Sequence, residues 1–151
     1  MARAYFLDSS ALLKRYLRET GTPYVLALHQ DPTDLLYIAQ IAGVEIVSAI
    51  TRQTLGKNIS KRKAQSAITQ FRHDFEQSYV VLGVTDVLIQ RAMGLAETHA
   101  LRAYDAVQLA TALIVAQYLT SVALIFVCAD EQLNRVARVE GLVVENPNDY
   151  R

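Results

Sequence analysis

Three short runs of almost uninterrupted apolar residues are the feature that most restricts the fold of this chain. They are Ala4–Leu7, Val80–Val84 and Val122–Val127. Strands covered on both faces have such runs, whereas a strand with one face in water alternates apolar and polar residues. Two weaker runs, Leu35–Ile38 and Leu142–Val144, extend the set. The pattern predicts a mostly parallel sheet with both faces covered.

Helical patterns occupy the segments between these runs. Pro23 lies near one helix start, and Gly141 is a suitable residue to follow the last helix. The predicted helices are Ser10–Arg18, Thr22–His29, Gln40–Gln53, Lys61–Ser78, Asp86–His99, Ala103–Tyr118 and Glu131–Val139. Strands that alternate with helices predict an α/β domain. The length of 151 residues, without a linker or repeat, favours a single domain over residues 1–151.

Composition excludes several classes of protein. The hydrophobic fraction of 52% argues against disorder, and 15 basic residues balance 15 acidic ones. Nucleic acid would therefore have to bind a local patch rather than a generally basic surface. No apolar run is long enough to span a bilayer and no signal peptide is apparent, so the expected location is the cytoplasm, with no membrane contact. The single Cys128 fits a reducing compartment and is expected to be a core thiol.

Four carboxylates lie in apolar segments, where an unpaired charge is costly. Asp8 and Asp130 come just after predicted strands, at the carboxyl ends where open α/β sheets bind ligands. Asp105 continues the apolar stripe of its helix, and Glu45 has apolar neighbours on another helix, so both are expected to point inward. Four such groups together would bind a hard divalent cation, which indicates phosphoryl chemistry.

Each carboxylate also has a structural alternative. Asp is a good N-cap, and a helix starts after both Asp8 and Asp130. A salt bridge to Arg102 or Arg52 would satisfy either helical carboxylate. Competing catalytic motifs are missing, because the chain has no dinucleotide-binding, P-loop or nucleophile-elbow sequence. The three histidines lie in polar helical segments and are expected to be solvated; they are His29, His73 and His99.

A basic stretch follows the helix that carries Glu45. Between Glu45 and Asp74 the chain has no acidic residue. Such a patch close to an acidic site could bind RNA phosphates, although a solvated helix start would have the same composition. The predicted RNA-binding residues are Arg52, Lys57, Lys61, Arg62 and Lys63.

Four segments resemble the PIN-domain family, particularly the VapC-type toxins of bacterial and archaeal toxin–antitoxin pairs. They run nearly from end to end of the chain: FLDSSALLKRYLRE, GVEIVSAI, LRAYDAVQLATAL and FVCADEQLNRVARVEGLVVENP. The third is the most specific, because it resembles the family's third-acid motif almost residue for residue. Two positions depart from the family's pattern: Cys128 and Ala39 stand where the family often has a hydroxyl residue.

The resemblance implies a PIN-like three-layer α/β/α domain with a central, mostly parallel five-stranded sheet. It also implies a metal-dependent endoribonuclease, a hydrolase that acts as the toxin of a type II toxin–antitoxin pair, forms a homodimer and is restrained by a protein antitoxin. By position, the catalytic residues and ligands of Mg²⁺ or Mn²⁺ would be Asp8, Glu45, Asp105 and Asp130. Ser9 would be the small hydroxyl residue that orients the site.

Two other functions remain compatible with the sequence. The same chemistry would suit a metal-dependent phosphatase or DNA nuclease. A catalytically silent PIN-like module that binds RNA or a regulator belongs to a different class of protein. The intact acids count against a silent module. A metal-dependent cleavage assay would discriminate between an active enzyme and a silent module.

Overall fold

A computed structural model describes residues 2–150, and a parallel sheet runs through the middle of them. The strands are β1 (Ala4–Leu7), β2 (Leu35–Ala39), β3 (Val80–Leu82), β4 (Leu124–Val127) and β5 (Val143–Glu145). Their order across the sheet is β3-β2-β1-β4-β5, and every neighbouring pair is parallel. From β1 the chain builds the sheet in one direction through β2 and β3, and then in the other through β4 and β5. The strand order therefore reverses between β1 and β4.

Helices connect the strands and cover both faces of the sheet. They are α1 (Ser9–Tyr16), α2 (Thr22–Leu28), α3 (Ala42–Leu55), α4 (Lys61–Gln77), α5 (Asp86–His99), α6 (Ala103–Tyr118) and α7 (Glu131–Val139), followed by a short 3-10 helix over Pro147–Asp149. Within residues 2–150, no helix has the length and apolar character needed to cross a membrane.

Alternation along the central strand divides the core into two parts. Ala4 and Phe6 point to one face, where they pack with residues of α5, α6 and α7. Tyr5 and Leu7 point to the other face, where α1 to α4 cover them. All four side chains of β1 are buried, which explains why this strand reads as a continuous apolar run. The fold is a three-layer α/β/α arrangement, as predicted.

Most predicted bounds agree with the structure, and the differences have local causes. The predicted ranges Ala4–Leu7, Asp86–His99, Ala103–Tyr118 and Glu131–Val139 are the observed ones. The third helix begins at Ala42 rather than Gln40, because Gln40 instead accepts the turn hydrogen bond from the Gly43 amide at 3.0 Å. The run beginning at Val80 forms a strand only to Leu82, where its pairing with β2 stops.

The ends of the helices use capping features that the sequence indicates. Gly141 has φ +95° just after α7, a left-handed conformation that glycine adopts without steric cost. Asp8 and Asp130 are the N-caps of α1 and α7. The structural alternative predicted for these two acids is therefore realised, and their place at strand ends is realised with it.

Candidate functional site

The four predicted carboxylates lie at or near the N-termini of four helices, at one edge of the sheet. Asp8 directly follows β1, and Asp130 follows β4 by three residues, so both flank the position where the strand order reverses. Glu45 lies in the first turn of α3, which starts soon after β2. Asp105 lies in the first turn of α6, the helix that leads back to β4. Crevices at such reversals are where open α/β sheets bind ligands.

Asp8 is the most deeply buried of the four. Its residue is 4% exposed, and burial raises the pKa of its carboxyl group to about 6. Two donors oppose this shift: the Ser10 hydroxyl donates to Oδ1 at 2.6 Å, and the Ala11 amide donates to the same oxygen at 3.1 Å. The Ser10 hydroxyl oxygen also accepts from the Ala129 amide at 3.0 Å. Ser10 thus joins the carboxyl end of β1 to that of β4.

Asp130 uses one carboxyl oxygen to cap α7. Its Oδ1 accepts from the Gln132 amide at 2.9 Å and from the Leu133 amide at 3.2 Å. The Asp130 amide in turn donates to the Cys128 sulfur at 3.4 Å. The buried Cys128 therefore makes a backbone contact beside this acid and is a core thiol, as predicted; burial raises the pKa of its thiol.

Asp105 is partly exposed and lies within electrostatic reach of two other acids. Burial, followed by the charge of Asp130, raises the pKa of its carboxyl group. The charge of Asp105 contributes in turn to the raised pKa of Asp8. The predicted salt bridge to Arg102 exists, but its Nε lies 3.7 Å from Oδ2 and the Arg102 side chain is 85% exposed. A pair so open to water stabilises little, so it does not account for the carboxylate at this position.

Glu45 is connected to Ser9, the residue after the first acid, through Gln108, a residue that sequence reasoning missed. The Gln108 Nε2 donates to Glu45 Oε1 at 3.0 Å and to the Ser9 hydroxyl oxygen at 2.9 Å. One amide of α6 thus holds the first turns of α1 and α3. The available signal was a polar side chain three residues after Asp105 on an otherwise apolar helix.

The expectation that Glu45 and Asp105 point inward is only partly correct. Asp8 is buried, whereas the three other acids are partly exposed: Glu45, Asp105 and Asp130. Asp8 directly follows the central strand β1, whose side chains are all buried, whereas Glu45 and Asp105 lie on helices and Asp130 lies three residues beyond β4. The site is therefore an open rim around one buried carboxyl group.

The donor set suits a hard divalent cation, although the side chains stand apart. Within residues 2–150, no group of three or more histidine, cysteine or acidic side chains is close enough to hold a metal as positioned. Carboxylate oxygens are nevertheless the donors that Mg²⁺ and Mn²⁺ prefer. A cleft of about 40 Å³ lies between Asp105 and Asp130, enough for roughly one water-sized body. The buried Gln108 Oε1 also has no hydrogen-bond partner among the described residues. The type of donor atom that these residues supply therefore fits such a cation.

The predicted RNA-binding residues lie beyond the acidic rim. All five are exposed and lie at or near the connection between α3 and α4: Arg52, Lys57, Lys61, Arg62 and Lys63. Glu45 is in the first turn of α3, so the end of that helix at Leu55 is about 15 Å away along the axis. The basic stretch is thus close to the acids in sequence but not in direct contact with them in space.

The histidines correct one expectation. His73 is exposed, as predicted, but His29 is only partly exposed, and its Nε2 lies 2.8 Å from the Tyr79 hydroxyl. Burial lowers the pKa of His29 to about 4, which keeps the ring neutral. His99 is also largely covered, with 15% of its side chain exposed, and its Nε2 lies 3.0 Å from Glu140. Both rings bridge helices to residues distant in sequence, which a local reading of polarity does not reveal.

Comparison with known proteins supports the fold rather than a close relationship. No protein-family model matches the chain, and no curated protein sequence matches it. Among solved structures, PAE2754 from Pyrobaculum aerophilum is 19% identical with a TM-score of 0.60, and the match covers 95% of this chain and 90% of that one. FitAcB from Neisseria gonorrhoeae is 16% identical with a TM-score of 0.60, over 95% and 97% of the two chains.

A third similar structure is VapBC2 from Rickettsia felis, bound to a DNA fragment from their promoter. It is 14% identical with a TM-score of 0.62, and the match covers 95% of this chain and 98% of that one. Identities this low carry no residue-by-residue assignment of a site. They do agree with the five-stranded parallel sheet between helical layers. The chain therefore has the PIN-like α/β/α fold, as its resemblance to PIN-domain toxins predicted.

Proposed function

We propose that this protein is a metal-dependent endoribonuclease that hydrolyses phosphodiester bonds of RNA. The observation that supports it most is the position of Asp8, Asp105 and Asp130 at the edge of the sheet near the strand-order reversal. There, in addition to burial, the charge of Asp130 raises the pKa of Asp105, and the charge of Asp105 raises the pKa of Asp8. Glu45 joins them through Gln108 and Ser9. Two of these acids serve as caps, but capping explains neither the partly buried Asp105 nor the amide held against Glu45.

The four acids would hold Mg²⁺ or Mn²⁺ through their carboxylate oxygens. When bound, such a cation neutralises charge on a phosphodiester and makes water more acidic. The chain's own residues prepare the site for this ion. Ser10 and the Ala11 amide both donate to Asp8 Oδ1, so they favour the ionised carboxylate that ligation requires. Hydrolysis by water leaves a 5′-phosphate and a 3′-hydroxyl and needs no covalent enzyme intermediate.

RNA would lie over both the acidic rim and the basic stretch. Arg52, Lys57, Lys61, Arg62 and Lys63 are exposed side chains that can contact backbone phosphates without reading the sequence. The distance along α3 from Glu45 is about 10 Å to Arg52 and about 15 Å to the end of the helix, so these residues would contact phosphates other than the one being cleaved. Single-stranded RNA long enough to reach both regions is the expected substrate.

The proposal extends to a toxin restrained by a protein antitoxin. Similar folds occur in a toxin–antitoxin complex from Klebsiella pneumoniae and in VapBC-1 from nontypeable Haemophilus influenzae. For the present chain we expect a cytoplasmic homodimer and a separate antitoxin protein. An unrestrained cytoplasmic ribonuclease would damage the cell that makes it, so an inhibitor is the natural counterpart of this activity.

The test is metal-dependent cleavage of RNA by the purified protein. EDTA should abolish cleavage and added Mg²⁺ or Mn²⁺ should restore it, with 5′-phosphate product ends. Asp105→Asn should remain folded and be nearly inactive, because it loses a ligand but keeps the shape of the side chain. Products that end in a 2′,3′-cyclic phosphate would exclude hydrolysis by water. Absence of cleavage under all metal conditions would favour the silent binding module.

A further inference from the structure

Gln108 makes a set of contacts that packing alone does not require. The residue is 2% exposed and lies on α6, one turn after Asp105, among side chains that are almost all apolar. Both donors of its Nε2 are used, on Ser9 and on Glu45, residues that lie 99 and 63 positions away in the chain. A single amide therefore joins three helices at the acidic rim.

The orientation of this amide follows from chemistry. An ionised carboxylate has no hydrogen to donate, so Glu45 Oε1 acts only as an acceptor. The group 3.0 Å from it must therefore be the amide NH₂ rather than the amide oxygen. The NH₂ then also donates to the Ser9 hydroxyl oxygen at 2.9 Å. Because that hydroxyl accepts here, its own hydrogen is left for another acceptor. A bond to an ionised acceptor is also stronger than one between neutral groups.

The same amide also leaves one of its atoms unpaired among the described residues. Gln108 Oε1 is buried and has no hydrogen-bond partner among residues 2–150. An unpaired buried acceptor destabilises a protein, and an apolar side chain of the same size would avoid that penalty. Buried polar groups left unsatisfied in this way are expected at functional sites, where local stability is given up.

We infer that Gln108 is a positioning residue for the acidic site, holding the Glu45 carboxylate and the Ser9 hydroxyl in the orientation that a divalent cation requires. This inference rests on the proposed function. Groups that orient metal-binding side chains typically change metal affinity or activity by about 10- to 100-fold when removed. Gln108 does not itself need to touch the cation or the RNA.

The test compares Gln108→Met with Thr111→Val. Methionine keeps the length and volume of the side chain but removes both donors and the unpaired oxygen. Thr111 is a matched control, because it is equally buried on α6 and its hydroxyl bonds only to the Val107 carbonyl of the same helix, at 2.7 Å. Mn²⁺ affinity is measured by calorimetry without RNA, and the melting temperature is measured in EDTA.

Gln108→Met should weaken Mn²⁺ binding by about 10-fold or more, while its melting temperature in EDTA stays at or above the wild-type value. Thr111→Val should keep Mn²⁺ affinity within about 2-fold of wild type. In a Glu45→Gln background, Gln108→Met should have little further effect on Mn²⁺ affinity, because the carboxylate that it orients is gone.

Three results would overturn the inference. Wild-type Mn²⁺ affinity in Gln108→Met would show that Glu45 needs no such support. Equal losses in the presence and absence of the Glu45 carboxylate would show that the two residues act independently. Failure of both Gln108→Met and Gln108→Leu to fold, with Thr111→Val intact, would assign Gln108 to the fold. A wild-type protein that binds no Mn²⁺ and cleaves no RNA would instead contradict the proposed function itself.

Discussion

The carboxyl group of Asp8 is subject to opposing effects on its pKa. Burial raises its pKa to about 6, while the hydrogen bonds from Ser10 and the Ala11 amide act in the opposite direction. The native carboxyl group therefore keeps its proton to a higher pH than the unfolded one. Because the native state binds this proton more tightly, the contribution of Asp8 to stability declines as the pH rises from about 4 to about 6.

His29 has the opposite pH dependence over nearly the same range. Burial lowers its pKa to about 4, so the unfolded state binds this proton more tightly. The contribution of His29 to stability therefore increases as the pH rises toward the ordinary histidine value of about 6.5. The two effects partly cancel in the whole protein, and a variant is needed to separate them.

Asp8→Asn isolates the carboxyl group, because His29 is present in both proteins. Asn keeps an oxygen that can accept the capping bonds but carries no charge at any pH. In EDTA, the stability of the variant relative to wild type should increase by about 1–2 kcal/mol between about pH 4.5 and about pH 7. The measurement is chemical unfolding at both pH values.

The control for this experiment is Asp86→Asn, whose carboxyl group is exposed in the first turn of α5. This variant also removes one carboxylate, but from an exposed position, and it leaves Asp8 unchanged. A difference for Asp8→Asn that stays constant, or that shrinks as the pH rises, would mean that Asp8 is not held in an environment that opposes its charge.

At the scale of elements, α3 has an acidic residue near its start and basic residues near its end, where it connects to α4. The first turn of α3 brings Glu45 to the acidic rim, while the connection to α4 carries the exposed basic residues. The Ser60 hydroxyl caps α4 by accepting from the Lys63 amide at 3.1 Å. No ion pair involves this basic stretch within the part of the chain that the structure describes. Its cations are therefore available to phosphates.

The double variant Lys61→Gln/Arg62→Gln should weaken RNA binding without changing the acidic site. Each phosphate contact to single-stranded nucleic acid contributes about 0.7 to the slope of log affinity against log salt, so losing two should reduce the slope by about 1.4. Affinity for single-stranded RNA is measured over a salt series in an Asp105→Asn background, which prevents cleavage.

Arg18→Gln/Arg138→Gln removes the same amount of charge from exposed positions on other parts of the surface. This control should keep the wild-type slope. If both double variants lower the slope equally, the effect comes from net charge and the stretch between α3 and α4 has no special role in binding.

For the whole molecule, the two-sided core separates the site from the framework that supports it. The clusters that pack on both faces of the sheet are largely apolar, and the four acids of the site lie at the edge where strands end and helices begin. A partly exposed side chain at that edge, such as Asp105, can change without removing core contacts. This separation lets loss of activity be distinguished from loss of folding in a living cell.

Expression of the wild-type chain should arrest bacterial growth, and Asp105→Asn should relieve the arrest at equal protein level. The reason is that the proposed cleavage of cellular RNA would require the carboxylate, whereas folding would not. Thr111→Val should remain as toxic as wild type, since it alters only a buried hydroxyl on the same helix. Growth curves and immunoblots measure both quantities. Harmless wild-type protein that is abundant and folded would support the silent module.

The sequence by itself determined the elements and the location of the four acids along them. Continuous apolar runs identified β1 with its observed bounds, and helical periodicity did the same for α5, α6 and α7. Because Asp8 directly follows one strand pattern and Asp130 comes three residues after another, their place at the edge of a parallel sheet followed from local signals. These features depend on neighbours a few residues apart, which is the range over which periodicity and capping act. The assignment of the chain to a single domain remains a prediction.

Only the tertiary structure decided which side chains meet. The contact of Gln108 with Ser9 and Glu45, the Ser10 bridge to Ala129, and the burial of His29 beside Tyr79 each join residues at least 50 positions apart. The residues that neighbour each position in the sequence do not indicate which distant residue it will contact. The same limit applies to the basic stretch: it is close to Glu45 in sequence, but a helix of 14 residues keeps its far end away from the acids. A rigid helix can keep residues that are close in sequence far apart in space. Packing of helices and strands can bring residues that are distant in sequence into contact.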